Sequence, residues 1–290
     1  MLRSFTDQSK ILRRSFATST WLGWQIESNW ADPFLFAIYS LIKPLASALI
    51  LVVMYGVITG GDFTSELFTY IYIGNACYIF VGRILNGLAW AVMEDREHYK
   101  TLKYIYTAPI HYPTYLLGHG MANFLIGTIA VTITILFGVA FLDVQVQFSA
   151  INWPLLLVSM ILGVNVIALM GLILAGAMLL LAHHMWGIGE AVVGALYLFS
   201  GAIFSLEVLP VWLRWVGYLI PITYWLELMR RALVGQVAEA FPTFANLTNT
   251  QLLGILLVLT GFIAISAVFS FRWCEEKARE RGLIDVVTNY

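Results

Sequence analysis

The chain has 290 residues, of which 60% are hydrophobic and only 11% are charged. A soluble globular domain carries about 25% charged residues, so this composition excludes an ordinary soluble protein and predicts an integral membrane protein. The formal net charge of −1 provides no overall field for binding nucleic acid. Two cysteines, Cys77 and Cys274, indicate neither a disulfide framework nor a metal cluster.

Six apolar stretches are long enough to cross a bilayer, which takes about 20 residues for a hydrocarbon core of about 30 Å. They lie near 34–58, 67–92, 115–142, 154–182, 186–206 and 251–272. We expect all six to be helices, because a helix satisfies its own backbone hydrogen bonds in lipid. The predicted fold is an all-α integral membrane protein with three parts: a cytoplasmic N-terminal region (1–33), a six-helix transmembrane domain (34–273) and a cytoplasmic tail (274–290).

The stretch WLGWQIESNW, residues 21–30, mixes tryptophan and isoleucine with polar side chains. This mixture is typical of an interfacial helix lying in the headgroup layer, and a cytosolic lead-in is the alternative. Lys and Arg near the span ends set the orientation. With the N-terminus inside, the outer loops 60–66 and 143–153 carry acids and no bases. Both termini are therefore predicted to be cytoplasmic.

The segment EDREHYKTLKYIYTAP, residues 94–109, connects the second and third spans on the cytoplasmic side. Its apolar and aromatic residues recur at helical spacing: Tyr99, Leu102, Ile105, Tyr106 and Pro109. Proline ends a helix. The pattern predicts one helix along the inner membrane surface with a side available for a partner, and a plain charged loop is the alternative.

The aromatic stretch after the fifth span is divided by Pro210 and Pro221. The piece 211–220 would be about 15 Å long as a helix, which is too short to cross. We therefore predict a re-entrant hairpin of two short helices over 207–234, entering the outer leaflet and returning. One kinked spanning helix is the alternative, but it would place the basic C-terminal tail outside, against the charge rule.

Small residues recur every four positions, at Gly171 and Ala175 and again at Gly187, Ala191 and Ala195. Such spacing lets helix backbones approach closely in lipid. It predicts either tight packing within the bundle or a seam between subunits.

Several kinds of chemistry are missing from the sequence. It has no G-x-x-x-x-G-K-[ST] loop, so we expect no ATPase site in this chain and no cofactor or metal of its own. The adjacent pair His183–His184 is interpreted as polar interface residues. Arg83 and Glu190 lie inside spans, where charges are costly. They predict either a structural ion pair or part of a transport path.

Three stretches resemble the membrane subunits of type-2 ABC exporters. TLKYIYTAPI (101–110) with its acidic lead-in resembles their segment between the second and third helices. LYLFSGAIFSLEVLPVWLRWVGYLIPITYWLELMRRAL (196–233) is similar to their region after the fifth helix, and IKPLASALILVVMYGVITGG (42–61) to their first helix. The chain departs from the family pattern at Lys100, Lys103 and Leu206.

The resemblance implies a permease subunit in the cytoplasmic membrane that pairs with a second copy, expected to be a homodimer. It also implies two copies of a separate cytosolic ATPase, which would carry the ATP and Mg. The segment 94–109 would be the coupling helix, and its docking residues would be Glu94, Asp95, Glu97, Tyr99, Lys100, Leu102, Lys103 and Tyr106. Residues implied to line the substrate path are Tyr72, Tyr78, Arg83, Trp90, Glu190, Tyr197 and Phe199.

The function expected on these grounds is ATP-driven export of an amphiphilic, drug-like or lipid-linked substrate. The alternative is a self-contained secondary transporter or channel that uses Arg83 and Glu190. A membrane enzyme acting on lipids is disfavoured, because no cluster of His, Asp or Glu occurs at a span end.

Overall fold

The computed structural model describes residues 2–29, 32–60, 63, 65–181, 187–235 and 242–284. Within these residues the chain forms ten α-helices, and no β-strand occurs in them. The helices are α1 (Leu2–Asn29), α2 (Pro33–Thr59), α3 (Glu66–Met93), α4 (Leu102–Thr107), α5 (Tyr112–Phe141), α6 (Trp153–Leu180), α7 (Ile188–Phe199), α8 (Val211–Leu219), α9 (Pro221–Val234) and α10 (Asn249–Glu280).

Four helices in the described part of the chain are long and apolar enough to cross a membrane: α3 with its extension to His98, α5, α6 and α10. They match the second, third, fourth and sixth predicted spans. The first and fifth stretches contain the shorter apolar helices Pro44–Thr59 and Ile188–Phe199. The composition-based prediction of a helical, multi-pass membrane protein is confirmed.

The fifth stretch forms a shorter helix than expected. We predicted 186–206, but α7 has 12 residues and is therefore about 18 Å long. Gly201 has a φ of 69°, a left-handed conformation that favours glycine and commonly follows the end of a helix. The apolar composition continues beyond this point while the helix does not.

The N-terminal helix is also different from the prediction, because α1 begins at Leu2 rather than near residue 21. It packs along the first half of α5. Gly118 allows this close approach, since a side chain there would overlap Ser19 on α1. Gly23 plays the same part on α1, facing His119. The N-terminal helix is thus a packed part of the bundle.

Helix α3 is the centre of the fold and contacts α5, α6, α7 and α9. Gly171 on α6 lies against Leu85 and Leu88 of α3, and Ala175 has 0% of its surface exposed. This first pair of small residues therefore serves close packing within the bundle.

The predicted break at Pro221 is confirmed, since α8 and α9 are separate short helices on either side of Ile220. The two differ in environment. Every residue from Pro221 to Leu233 is buried, whereas Trp212 and Trp215 of α8 are exposed. We expected a hairpin immersed in lipid, but α9 lies inside the bundle because it packs against α6, α10 and α3.

Helix α9 and the segment 94–109 contact opposite ends of α3. Tyr70 near its start donates a hydrogen bond to Glu227 of α9, whereas Glu94 directly follows its last residue. Tyr70 and Glu94 are 24 positions apart in the sequence, which corresponds to about 36 Å along a helix. This separation is comparable to a bilayer, so the fold is compatible with α9 and the segment 94–109 near opposite membrane faces.

Candidate docking segment and transport path

The segment 94–109 is not one helix, as its periodicity had predicted. Glu94–His98 continues α3 as a π-helical turn, the chain then breaks, and α4 covers Leu102–Thr107. Lys100 in the break has a φ of 53°, in the left-handed region. The backbone N–H of Thr101 donates to the carbonyl oxygen of Asp95 at 2.7 Å and closes the turn.

Arg96 ties this segment to the end of α6. Its side chain is 2% exposed, and its Nη1 donates to the carbonyl oxygen of Leu179 at 3.3 Å. Its Nη2 donates to the carbonyl oxygen of Leu181, and its Nε lies 3.3 Å from Glu97 Oε1. Two hydrogen bonds to carbonyl oxygens and one ion-pair contact compensate for burying the guanidinium.

The apolar stripe of α4 faces the bundle, although two of its residues, Leu102 and Tyr106, were expected among the docking residues. Leu102 is 1% exposed and Ile105 is 8% exposed. The ring of Tyr106 lies 4.8 Å from the Arg279 guanidinium carbon and 5.1 Å from the Tyr112 ring. Burial raises the pKa of the Tyr106 hydroxyl well above its usual value. The apolar stripe of a helix most often packs on the neighbouring hydrophobic core, and the stripe of α4 does so here.

The opposite side of the segment is open. We define the docking surface as the exposed residues Tyr99, Lys100, Lys103 and Tyr104. Tyr104 is 63% exposed and lies beneath the Lys103 ammonium, which is 5.2 Å from its ring centroid. The sequence interpretation missed Tyr104 because it falls outside the apolar stripe.

The acidic residues expected to dock a partner are less accessible. Asp95 is 4% exposed, and its Oδ1 accepts from the hydroxyls of Tyr115 at 3.1 Å and Thr101 at 3.2 Å. Glu94 and Glu97 are half-buried. Asp95 therefore links the turn to α5.

Two of the expected path residues meet where α3 packs on α7. The rings of Tyr78 and Tyr197 are 4.7 Å apart, and the Tyr78 hydroxyl donates to the Val193 carbonyl oxygen at 2.6 Å. The Tyr197 hydroxyl donates to Asn75 Oδ1. Asn75 was missed by the sequence interpretation, since a single amide in an apolar span gives no periodic signal.

The other expected path residues are more dispersed. Tyr72 is 0% exposed and donates to the Thr134 carbonyl oxygen at 2.7 Å, between α3 and α5. Trp90 and Glu190 line one small crevice of about 20 Å³. Phe199 is half-buried at the last position of α7.

Arg83 has an ion-pair partner that the sequence did not suggest. Its Nη1 lies 3.8 Å from Glu27 Oε2 on α1, whereas we had considered Glu190. Burial raises the pKa of Glu27, and the Arg83 charge opposes that shift. Both side chains are partly exposed, so the pair contributes little to stability.

A buried charged cluster on α9 also went unrecognised in the sequence. Arg230 is 1% exposed. Its Nε donates to the Tyr70 carbonyl oxygen at 3.1 Å, and its Nη2 donates to the carbonyl oxygens of Gly201 at 2.9 Å and Ala202 at 2.7 Å. The re-entrant hairpin that we had predicted over 207–234 contains Arg230 and Arg231, but we had not predicted that their side chains are buried. The sequence feature that could have revealed this cluster is the presence of three charged residues in the otherwise apolar run 226–233.

Arg231 completes this cluster. Its Nε donates to Glu227 Oε1 at 2.7 Å, and its two Nη atoms donate to the carbonyl oxygens of Leu247 and Phe244 at 2.7 Å each. Every charge in the cluster is thus compensated, as buried ions require. The cluster joins α9 to α3, to the connection after α7 and to the approach to α10.

Within the described ranges, no group of three or more His, Cys, Asp or Glu side chains is arranged to hold a metal ion. The pair His183–His184 falls outside the described residues.

Fold and site together define a helical membrane protein, with an α-helical bundle around α3 and an aromatic and basic surface at one end. The family model for ABC-2 type transporters matches residues 15–234, which run from within α1 to the last residue of α9. The chain belongs to this family and is a membrane permease component of an ABC transporter. A search of the curated proteins found no match to the chain.

Proposed function

We propose that this chain is the permease subunit of an ATP-driven exporter in the cytoplasmic membrane. It crosses six times with both termini in the cytoplasm, works as a homodimer and is powered by two copies of a separate ATPase that binds ATP and Mg. Its substrate is amphiphilic, drug-like or lipid-linked. The observation that carries this proposal is the docking surface, which exposes aromatic and basic side chains on a segment anchored to several helices.

The anchoring explains how a push on the docking surface would reach the bundle. The π-helical turn continues α3 directly, Arg96 bonds to the end of α6, and Asp95 bonds to Tyr115 on α5. Tyr106 contacts Arg279 near the end of α10. Because packed helices transmit displacements with little compression, closure of the ATPase dimer would move these four helices together.

The second permease copy would pack on α7. Ala191, Gly194 and Ala195 are exposed on this helix, and a side chain at Gly194 would meet nothing within 4 Å. Small exposed residues on a membrane helix suit close approach of a second helix. The proposed substrate path lies beside this face, at the contact of Tyr78 with Tyr197.

The test is a double variant, Lys103→Ala with Tyr104→Ala, made in the complex purified with its ATPase from native membranes. Both side chains are exposed, so the unfolding temperature of the permease should stay unchanged. The amount of ATPase recovered with the permease, and ATP-driven export by the complex, should fall at least about tenfold, a loss of about 1.4 kcal/mol.

The matched control is Tyr218→Ala, a half-buried aromatic residue on α8 outside the docking surface. It should leave recovery of the ATPase unchanged. Full recovery and full export in the double variant would show that the ATPase binds elsewhere.

A further inference from the structure

A cavity of about 670 Å³ lies between α1 and the segment that follows α3. Its apolar wall is formed by Ile11, Leu22, Ile26, Ile105 and Ile110. The volume is within the range of small-molecule sites, about 300–1,000 Å³. This cavity is separate from the contact of α3 with α7, where the substrate path was proposed.

One buried carboxylate lies among the lining residues. Asp95 is 4% exposed, and its Oδ1 is used by Tyr115 and Thr101. Its Oδ2 is buried and has no hydrogen-bond partner in the described part of the chain. Buried polar atoms in native proteins are nearly always paired, so an unpaired carboxylate oxygen at a cavity of this size indicates a missing donor.

The other charged lining residue is Arg14 of α1, which is exposed. Water and salt screen a charge in that position, whereas the Asp95 charge acts in a low-dielectric interior and is felt more strongly. Tyr99 of the docking surface, which is 45% exposed, also lines the cavity. The electrostatics inside therefore favour a cation.

We propose that this cavity binds an amphiphile with an ammonium group and an apolar body. The ammonium donates a charge-assisted hydrogen bond to Asp95 Oδ2, and the apolar body packs on the isoleucine and leucine wall. Because the walls belong both to α1 and to the segment carrying the docking surface, a bound amphiphile holds the two together. The site goes beyond the proposed transport function.

The binding test uses the purified full-length chain in a detergent whose headgroup is uncharged. Calorimetry compares three probes of equal chain length: octylammonium, octanol and octanoate. Octylammonium should bind saturably and octanoate at least about tenfold more weakly. Asp95→Asn, which keeps the side-chain shape and the Oδ1 acceptor, should lower octylammonium affinity at least about tenfold, or about 1.4 kcal/mol, and spare octanol.

The matched control is Glu94→Gln, because Glu94 is the neighbouring carboxylate but does not line the cavity. Its effect on octylammonium should be much smaller than that of Asp95→Asn. If Asp95→Asn does not fold, Thr18→Phe provides a second route: Thr18 lies on the exposed side of α1 and lines the cavity. The added ring fills the space and should weaken both octylammonium and octanol.

Two further arms identify the source of the ammonium. In phosphatidylglycerol nanodiscs, added phosphatidylethanolamine should compete with octylammonium if the natural occupant is a membrane lipid. Retained octylammonium binding without competition identifies a soluble amine, and both results support the site. Equal affinity for octanoate and octylammonium, or unchanged affinity in Asp95→Asn, overturns it. No ATPase is needed, so this outcome is independent of the docking test.

Discussion

At the scale of single residues, the buried charges of α9 have the largest consequences for stability. The Arg230 guanidinium bonds to three carbonyl oxygens, and its carbon lies 4.6 Å from the Tyr70 ring centroid. A buried guanidinium is stable only when its donors are satisfied. These carbonyl oxygens also need the donors of Arg230, because carbonyl groups buried in a membrane bundle cannot form a hydrogen bond with water instead.

Arg230→Met should therefore destabilise the protein strongly. It leaves three carbonyl oxygens with one donor fewer and leaves Glu227 with Arg231 as its remaining cationic neighbour in the cluster. The expected loss is about 3–5 kcal/mol, measured by denaturant unfolding in micelles. Arg272→Met is the matched control, because Arg272 is exposed on α10, and it should change stability by less than about 0.5 kcal/mol.

A second residue-scale prediction concerns the glycine beneath the same guanidinium. A methyl group at Gly74 would overlap the side chain of Arg230, so Gly74→Ala must displace the cluster and should cost about 1–3 kcal/mol. At Gly254 a methyl group would meet nothing within 4 Å. Gly254→Ala should leave stability within about 1 kcal/mol of the unchanged protein. Equal unfolding midpoints for the two variants would contradict this account.

At the scale of elements, the segment 94–109 shows why sequence periodicity predicted one continuous helix where the structure has a turn, a break and a short helix. The spacing of Leu102, Ile105 and Tyr106 indicated one apolar face, and the structure confirms that Leu102 and Ile105 share a buried side. Periodicity does not say what such a face packs against. It also contains no signal for the left-handed Lys100, because non-glycine residues adopt that conformation only where local bonds compensate for it.

The buried face of α4 gives a prediction at this scale. Leu102→Ala removes a side chain that is 1% exposed and should destabilise the fold by about 2–5 kcal/mol. Tyr104→Ala, two residues away on the exposed side, should leave the unfolding midpoint unchanged. Thermal unfolding of the two variants in micelles compares them directly, and a stable Leu102→Ala would mean that α4 is detached from the bundle.

At the scale of the whole molecule, α3 links the two ends of the bundle. Its first turns carry Tyr70, bonded into the α9 cluster, and its last residue leads into the docking surface. Helix α7, which packs on the side of α3, exposes a row of small residues: Ala191, Gly194 and Ala195. A homodimer across α7 would bring two copies of the Tyr78–Tyr197 contact near each other.

This arrangement predicts the effect of blocking α7. Ala195→Trp places a large ring on the exposed row of small residues of α7 and should shift the permease from dimer to monomer. Light scattering in micelles or subunit counting in nanodiscs measures this shift. Gly261→Trp on α10 is the control, because a side chain there meets nothing within 4 Å, and it should leave the dimer intact. A dimer that persists in Ala195→Trp would place the seam on another face.

The sequence by itself determined the class of this protein. Apolar runs of spanning length require helices in lipid whatever their tertiary arrangement. Pro210 and Pro221 lie where α8 and α9 begin, because proline fits the start of a helix better than its interior. The motifs in 101–110 and 196–233 indicated the family. Apolar runs, prolines and motifs are local properties, which can be recognised in one stretch of the chain at a time.

Only the tertiary structure decided which faces are covered. It buried Arg230 and Arg231 inside the bundle, paired Arg83 with Glu27 and turned Leu102 inward while leaving Tyr104 exposed. Each of these outcomes depends on a partner far away in the chain, such as Tyr70 for α9 or Gly118 for α1. Burial and pairing are properties of two surfaces that meet, so no single segment contains them.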